Sequence, residues 1–485
     1  MTSIDDARAL LDDSEGVGTA VAVVATVRAA FDAGRTKPVA WRRAQLRALR
    51  RLLVEAGPEL EEALAADLGK SPAESQVSEI GVVVAEVDHA LRHVRRWARS
   101  APVAVPYAVA PASARVVPEP LGVVLVIAPW NYPVQLLLGP LVGALAAGNA
   151  VVLKPSEVAP ATSTALARLV PRFLDPRAVA VVEGGAEATT DLLAQRFDHI
   201  FFTGGGAVAR VIARAAAENL TPTTLELGGK SPVWIDDTVD VEVAARRLAW
   251  GKFMNAGQTC VAPDYVLATP AVAARLTAAL DRAITAFYGA DPETSPDFGR
   301  IVADRHVDRL AGLLEGQKPA VGGSVDRSRR YVAPTVIDGV DLDSSIMAEE
   351  IFGPILPIVH VADLDEAIRV IRSRDKPLAL YVFSASRTVE RRLLRETSSG
   401  AVGVGIPSAH LLVPGLPFGG VGASGSGAYH GKRSFDTFTH EKALLRKPLA
   451  PDTVGLVYPP FTSGRESFIR RVIARTGARR KPTDR

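Results

Sequence analysis

The sequence predicts an α/β fold: a doubly wound parallel sheet, a second α/β region and a small separate sheet. Three observations lead there. Short, wholly apolar runs recur, as in Val123-Val124-Leu125-Val126-Ile127 and Ala150-Val151-Val152-Leu153, the pattern of strands buried on both faces. Helical stretches alternate with them across short loops, which implies parallel strands joined by crossovers. The stretch 102–118 breaks the alternation. There Val103, Val105, Tyr107 and Val109 alternate, Pro111-Ala112-Ser113 turns, and Ala114-Arg115-Val116-Val117 returns as a hairpin arm.

In chain order, 20–66 reads as helices. Val24, Val27 and Phe31 share one face, and Leu46, Leu49, Leu52 and Leu53 repeat the 3.6-residue period. The stretch 77–97 is a further amphipathic helix. After the hairpin come strands at 123–127, 150–153, 178–182 and 199–202, with helices at 134–147, 161–174, 189–195 and 208–219. The second region has helices at 241–255, 271–288, 305–315, 367–374 and 388–396. Strands are predicted there at 265–268, 331–336 and 378–383. The glycine-rich 417–431 reads as loop, and 437–440 as extended chain.

Composition narrows the function. The 485 residues are 48% apolar and 22% charged, a globular mixture. A net charge of +3 is too small to imply a nucleic-acid partner. One cysteine excludes an internal disulfide framework and a multi-cysteine zinc site, and it fits a reducing cytoplasm. The histidines show no ligand spacing, so no metal is expected, and His410, His430 and His440 read as structural. The start, Met1-Thr2-Ser3-Ile4-Asp5-Asp6, is acidic and unlike a signal peptide. The apolar run 136–153 is long enough to span a membrane, but Gly139-Pro140 and Gly148-Asn149 interrupt it, so it reads as helix, turn and strand.

The chemistry centres on Glu226 and on Cys260, the lone cysteine. A thiolate can attack a carbonyl carbon, and a nearby carboxylate can activate the water that later frees the acyl group. Free cysteines are commonly small core residues. This one follows a polar loop, Ala256-Gly257-Gln258-Thr259. If the helix 241–255 ends just before it, the negative helix end faces the wrong way to lower the thiol pKa.

Other motifs lie at strand ends. Gly204-Gly205-Gly206-Ala207-Val208-Ala209 follows a strand and opens a helix, as a dinucleotide fingerprint does, although a plain glycine turn reads the same way. Gly420-Val421-Gly422-Ala423-Ser424-Gly425 has similar spacing but no strand before it. Leu227-Gly228-Gly229-Lys230-Ser231 lacks the first glycine of a phosphate-binding loop, Thr224 standing in its place. Lys154 and Glu157 sit where open α/β sheets bind ligands, and a carboxylate there can accept both hydroxyls of a ribose. Asn131, between Pro129 and Pro133, offers an amide to a developing oxyanion.

Together these blocks resemble the aldehyde dehydrogenase superfamily, from about residue 20 to about 447. They include Glu119-Pro120-Leu121-Gly122, Pro129-Trp130-Asn131-Tyr132-Pro133, Gly148-Asn149 through Lys154-Pro155-Ser156-Glu157, and Leu225-Glu226-Leu227-Gly228-Gly229-Lys230. Gly257-Gln258-Thr259-Cys260, Glu349-Glu350-Ile351-Phe352-Gly353-Pro354 and Pro417-Phe418-Gly419-Gly420 follow in order. Trp250-Gly251-Lys252-Phe253-Met254, Ala262-Pro263-Asp264-Tyr265 and Tyr429-His430-Gly431 point to its class 3, fatty-aldehyde branch.

The resemblance implies a three-part molecule. A doubly wound cofactor domain would cover 1–102 and 118–229, and a catalytic domain 230–428. A small oligomerisation sheet would come from 103–117 and 429–447, and a basic tail would fill 448–485. By that resemblance Cys260 is the nucleophile, Glu226 the general base and Asn131 an oxyanion donor. Lys154 and Glu157 would bind the adenosine ribose, Gly204 would lie near the pyrophosphate, and Glu350 and Phe352 would position the nicotinamide riboside. The cofactor would be NAD, with NADP possible, the substrate a small aldehyde, aliphatic or aromatic, and the assembly a cytoplasmic homodimer. The family favours serine or asparagine at Gly205, glycine at Ala209 and asparagine at Gly405, so a decayed, cofactor-binding site is one alternative. Acyl transfer to coenzyme A is another, against which Glu226 weighs. In the tail, Phe468, Ile469, Val472 and Ile473 fall at helical spacing beside Arg470, Arg471 and Arg475, a pattern compatible with peripheral membrane contact or with a helix docked on the protein.

Overall fold

The computed structural model describes residues 16–477. The acidic start and the basic residues Arg479, Arg480, Lys481 and Arg485 lie outside the described residues. The chain divides into two compact units: one reaches Trp97 and resumes over Pro120–Thr439, and the other comprises Ala98–Glu119 with the chain from His440 onwards.

The larger unit holds two six-stranded sheets. The first runs in the order Gly425–Ser426, Thr223–Glu226, His199–Thr203, Val123–Ile127, Ala150–Lys154, Val179–Val181. Its last five strands are parallel. The chain starts in the middle at Val123–Ile127, moves outward to Val179–Val181, then returns to the other side at His199–Thr203. That reversal makes a topological switch point, where open α/β sheets leave a ligand crevice beyond their strand ends. Both faces of the sheet are covered. Val124 and Val126 join one buried cluster, while Val123, Leu125 and Ile127 join another.

The helix Gln135–Ala147 runs through Pro140 and is buried almost throughout. It stops at Gly148, which takes φ 94° before the strand Ala150–Lys154 begins. The interruption of 136–153 thus falls at Gly148 and not at Pro140. Among the described residues no helix is long and apolar enough to cross a membrane.

The second sheet is wholly parallel, in the order Thr335–Asp338, Ile355–His360, Tyr265–Ala268, Pro232–Ile235, Ala379–Phe383, Ala401–Val404. In the smaller unit, Ala101–Val103 pairs antiparallel with Ser113–Pro120, Ala101 lying opposite Val116. Thr439–Arg446 completes the three-stranded sheet beside Ser113–Pro120. The hairpin is therefore shorter than predicted. Its first arm ends at Val103, Pro106 takes φ −60° without an N–H to donate, and Tyr107–Val109 form one 3-10 turn instead of a strand. The predicted 417–431 loop contains the short strand Gly425–Ser426, antiparallel to Thr223–Glu226.

Candidate active site

Cys260 is delivered by a strained turn. Asp240 caps the helix Val241–Phe253 by accepting from the Glu242 and Val243 amides. Past its end, Asn255 and Ala256 adopt φ 54° and φ 50° in succession, a left-handed conformation unfavourable for residues with a Cβ. Surrounding hydrogen bonds hold them there. The Glu74 carboxylate accepts from the Asn255 N–H at 2.7 Å. The Asn255 amide donates to the carbonyls of Asn131 at 2.8 Å and Gln258 at 3.1 Å. Buried Gln258 donates to the carbonyls of Asn255 and Arg300, both at 3.0 Å, and accepts from the Val302 N–H. Gly257 needs its φ of 74°, and a Cβ there would lie 2.2 Å from the Gly353 carbonyl.

Cys260 lies between two cavities. The larger, about 660 Å³, has Asn131, Gly204, Glu226, Glu350 and Phe352 among its walls with Cys260. The smaller, about 70 Å³, is lined largely by apolar and aromatic groups, including Tyr132, Trp250, Met254 and Phe418. Burial pushes the Cys260 thiol up to about 12, and the Glu350 and Glu226 carboxylates push it further the same way. The backbone N–H groups of Cys260 and Val261 pull against them. The side-chain amide of Asn131 donates to the Gln258 carbonyl at 3.0 Å, tying it to the cysteine loop.

Glu226 ends the strand Thr223–Glu226, opposite Gly425. It is 2% exposed, and among the described residues neither carboxylate oxygen meets a hydrogen-bond donor. Burial holds its pKa well above the ordinary carboxylate range. Glu350 is pushed up to about 8 by burial and then by Asp264, while the Gly229 N–H, Lys230 and Lys252 oppose that rise. Phe352 sits at φ 48° with its ring edge-on to Trp130, centroids 5.4 Å apart.

Gly204 donates its N–H to the Glu226 carbonyl at 3.0 Å. The helix Gly206–Glu218 begins beside it without a side-chain cap, so its first N–H groups remain available to an anion. Gly205 is extended, and a Cβ on it would meet nothing within 4 Å, so the family's serine or asparagine would fit the space. Ala209 is packed at 2% exposure. Gly405 takes φ 72° and its carbonyl accepts from Arg247 at 2.7 Å; it lines neither cavity.

Lys154 and Glu157 stand apart from that group. Lys154, buried at the end of its strand, donates to the Pro155 carbonyl at 2.7 Å, and its ammonium lies 3.7 Å from the half-exposed Glu157 carboxylate. Neither lines the larger cavity. They occupy the strand end beside the switch point.

Sequence reasoning missed the support behind Asn131. The fully buried Lys70 ammonium donates to Glu79 at 2.6 Å and to the Asn131 carbonyl at 3.2 Å, and it sits 4.0 Å from the Tyr132 ring centroid. The other Glu79 oxygen accepts from the Val134 and Gln135 N–H groups at the start of a helix. No local motif could have revealed residues brought together from such distant positions. Among the described residues, no cluster of histidine, cysteine and carboxylate side chains is arranged to hold a metal.

The chain belongs to the aldehyde dehydrogenase family, whose profile matches residues 14–444. That membership makes it an enzyme of aldehyde oxidation. Its relatives place it in the class 3 branch. It is 50% identical over 459 residues to aldehyde dehydrogenase family 3 member B2 of Mus musculus, covering 94% of this chain and 96% of that one. It is 49% identical over 438 residues to the dimeric NADP-preferring aldehyde dehydrogenase of Rattus norvegicus, covering 90% and 97%. Among solved structures, a substrate-bound AldH of Staphylococcus aureus superposes with a TM-score of 0.90 at 41% identity, covering 98% of this chain and all of that one. An NAD+ complex of a Mycobacterium tuberculosis aldehyde dehydrogenase gives 0.80 at 30% identity, covering 90% and 91%.

Proposed function

We propose that the enzyme oxidises an aldehyde to a carboxylic acid through a thiohemiacetal and then a thioester on Cys260, using NAD+ or NADP+. The observation that carries this reading is the position of Cys260 between an apolar cavity and a larger one walled by Glu226 and Glu350. The larger cavity can take the nicotinamide and pyrophosphate end of a dinucleotide, since it lies at the switch point against a helix start with open N–H groups. The adenosine ribose would reach the Lys154 and Glu157 strand end outside it. When bound, the nicotinamide supplies the hydride acceptor. The chain's own groups do the rest. Cys260 Sγ attacks the carbonyl carbon from the side of the apolar cavity. The Asn131 amide and the Cys260 N–H steady the oxyanion. Glu226 then takes a proton from water as that water attacks the thioester. The thiol at rest is neutral and the charge of Glu226 opposes its ionisation, so help must come from Glu226 taking the proton, from backbone donors or from the cofactor's positive charge. Reduced cofactor formation across a panel of aliphatic and aromatic aldehydes tests the reading; no turnover with any of them would favour the decayed alternative. The unpaired Glu226 carboxylate argues for water over coenzyme A as acyl acceptor, and a coenzyme A requirement would reverse that assignment.

NAD+ is expected to be preferred, or both dinucleotides accepted. The exposed Glu157 carboxylate can accept two ribose hydroxyls but repels a 2′-phosphate, and Lys154 partly offsets it. Glu157→Gln should therefore raise kcat/KM for NADP+ relative to NAD+ by roughly tenfold, one removed like-charge contact being worth about 1.4 kcal/mol. A wild-type preference strongly for NADP+, the preference named for the rat relative, would refute the role given to Glu157.

The assembly proposed is a cytoplasmic homodimer. The eight-residue strand Thr439–Arg446 is a mostly exposed edge of the small sheet, a surface on which a second copy can pair. The tail helix Ser463–Gly477 exposes Phe468 and Ile473, 42% and 65%, near Arg470 and Arg471, which supports peripheral membrane contact as a second role. Light scattering and co-sedimentation with anionic liposomes, on the full chain and on a version ending near Pro460, test both. A monomeric mass would reject the dimer. Equal, negligible liposome binding would reject the membrane role.

A further inference from the structure

The apolar cavity beside Cys260 does not end at its own walls. It shares Val77, Val82, Gln135, Leu411, Leu412 and Tyr429 with an outer cavity of about 370 Å³. Val77 and Leu412 are 60% and 56% exposed, so the outer cavity opens to solvent. An aldehyde with its carbonyl at Cys260 and a sufficiently long body would lay its far end there.

The charge of that outer cavity is one-sided. Among the described residues, Glu86 is the only carboxylate in the walls of either the inner or the outer cavity, and no lysine or arginine lines either. Its carboxylate is held in place, accepting from the Gly431 N–H at 2.6 Å. His430, the neighbouring titratable wall residue, is driven down to about 4 by burial, so it is neutral near pH 7 and cannot offset the acid. A hydroxyl arriving there finds acceptors in Glu86 and Gln135. Burial raises the Glu86 pKa while the Gly431 N–H opposes that rise. Once Glu86 is ionised, a second carboxylate finds a like charge in a largely buried site with no lysine or arginine in its walls, which is strongly unfavourable.

Resting on the oxidation proposed above, we infer that this outer cavity is a distal substrate subsite in which Glu86 determines specificity. It admits aldehydes whose far end is a methyl or a hydroxyl and turns away those that end in a carboxylate.

The test compares straight-chain aldehydes from hexanal to dodecanal with their ω-hydroxy and ω-carboxy counterparts, measuring kcat/KM for wild type and Glu86→Gln. Glutamine keeps a carbonyl oxygen for the Gly431 N–H and removes only the charge. For the longer members, wild type is expected to favour the neutral aldehyde over its ω-carboxy counterpart by roughly a hundredfold, the scale of an uncompensated like-charge contact. In Glu86→Gln that ratio should fall below about tenfold. Equal use of both aldehydes by wild type would overturn the proposal, and this arm stands even if the variant does not fold. A ratio that persists in a folded Glu86→Gln would overturn it too. No oxidation of any member by wild type would instead sink the underlying oxidation reading.

Discussion

Cys260→Ala is expected to abolish aldehyde oxidation while cofactor affinity stays within about threefold, since no dinucleotide contact is assigned to the thiol. Cys260 is the chain's only cysteine, so no neighbouring thiol can take its place. The loop that carries it is held by Asn255, Gln258 and Glu74 and not by the sulfur, so alanine should leave the turn intact. Losing a covalent nucleophile should lower kcat by at least roughly ten-thousandfold. Steady-state NADH formation measures the loss, and quenching of protein fluorescence by cofactor measures the binding. Turnover near wild type would remove Cys260 from the mechanism.

Glu226→Gln should separate the two halves of the reaction. Both oxygens of Glu226 lack protein donors, so the isosteric amide breaks no hydrogen bond within the protein. Acyl release should slow by about a hundredfold or more, the usual range for a lost general base, while the first NADH burst persists. The pH profile carries a second signature. Burial lifts the Glu226 pKa, and the base acts ionised, so wild-type acyl release should rise with pH and fall as pH drops through that raised value. The variant should lose that limb. Disappearance of the burst itself would move Glu226 to an earlier step, as an aid to thiol ionisation.

The central strands of the first sheet were legible because burial on both faces leaves them wholly apolar, as at Val123–Ile127. Thr223–Glu226 was missed, since two threonines and a glutamate hide the period in four residues. Pro232–Ile235, Ile355–His360 and Ala401–Val404 were missed as well, two of them short and all merging into flanking loops. Alternating valines around Pro106 imitated a strand that the proline prevents. Cys260, Glu226 and Asn131 stood out by their chemistry, but only the family resemblance assigned them roles; the structure brings the three to one cavity. Lys70 and Glu79 did not stand out, because their partners are the Asn131 carbonyl and the amides of Val134 and Gln135, contacts that only the folded chain creates.

The pairing of Gly425 with Glu226 also sets an order of events on the ribosome. The strand that ends at Glu226 is made early, but the segment that covers its open edge is translated roughly two hundred residues later, after the whole second sheet. Until then a growing chain presents an uncovered strand, an invitation to pair with a neighbouring nascent chain. Nor can a bulkier residue stand in at the closing position. Gly425 has φ 136°, and a Cβ there would lie 2.1 Å from the Leu225 carbonyl. Completion of the sheet beside Glu226 is thereby postponed almost to the end of synthesis, so a chain truncated before Gly425 would carry Glu226 and Cys260 with that sheet edge uncovered.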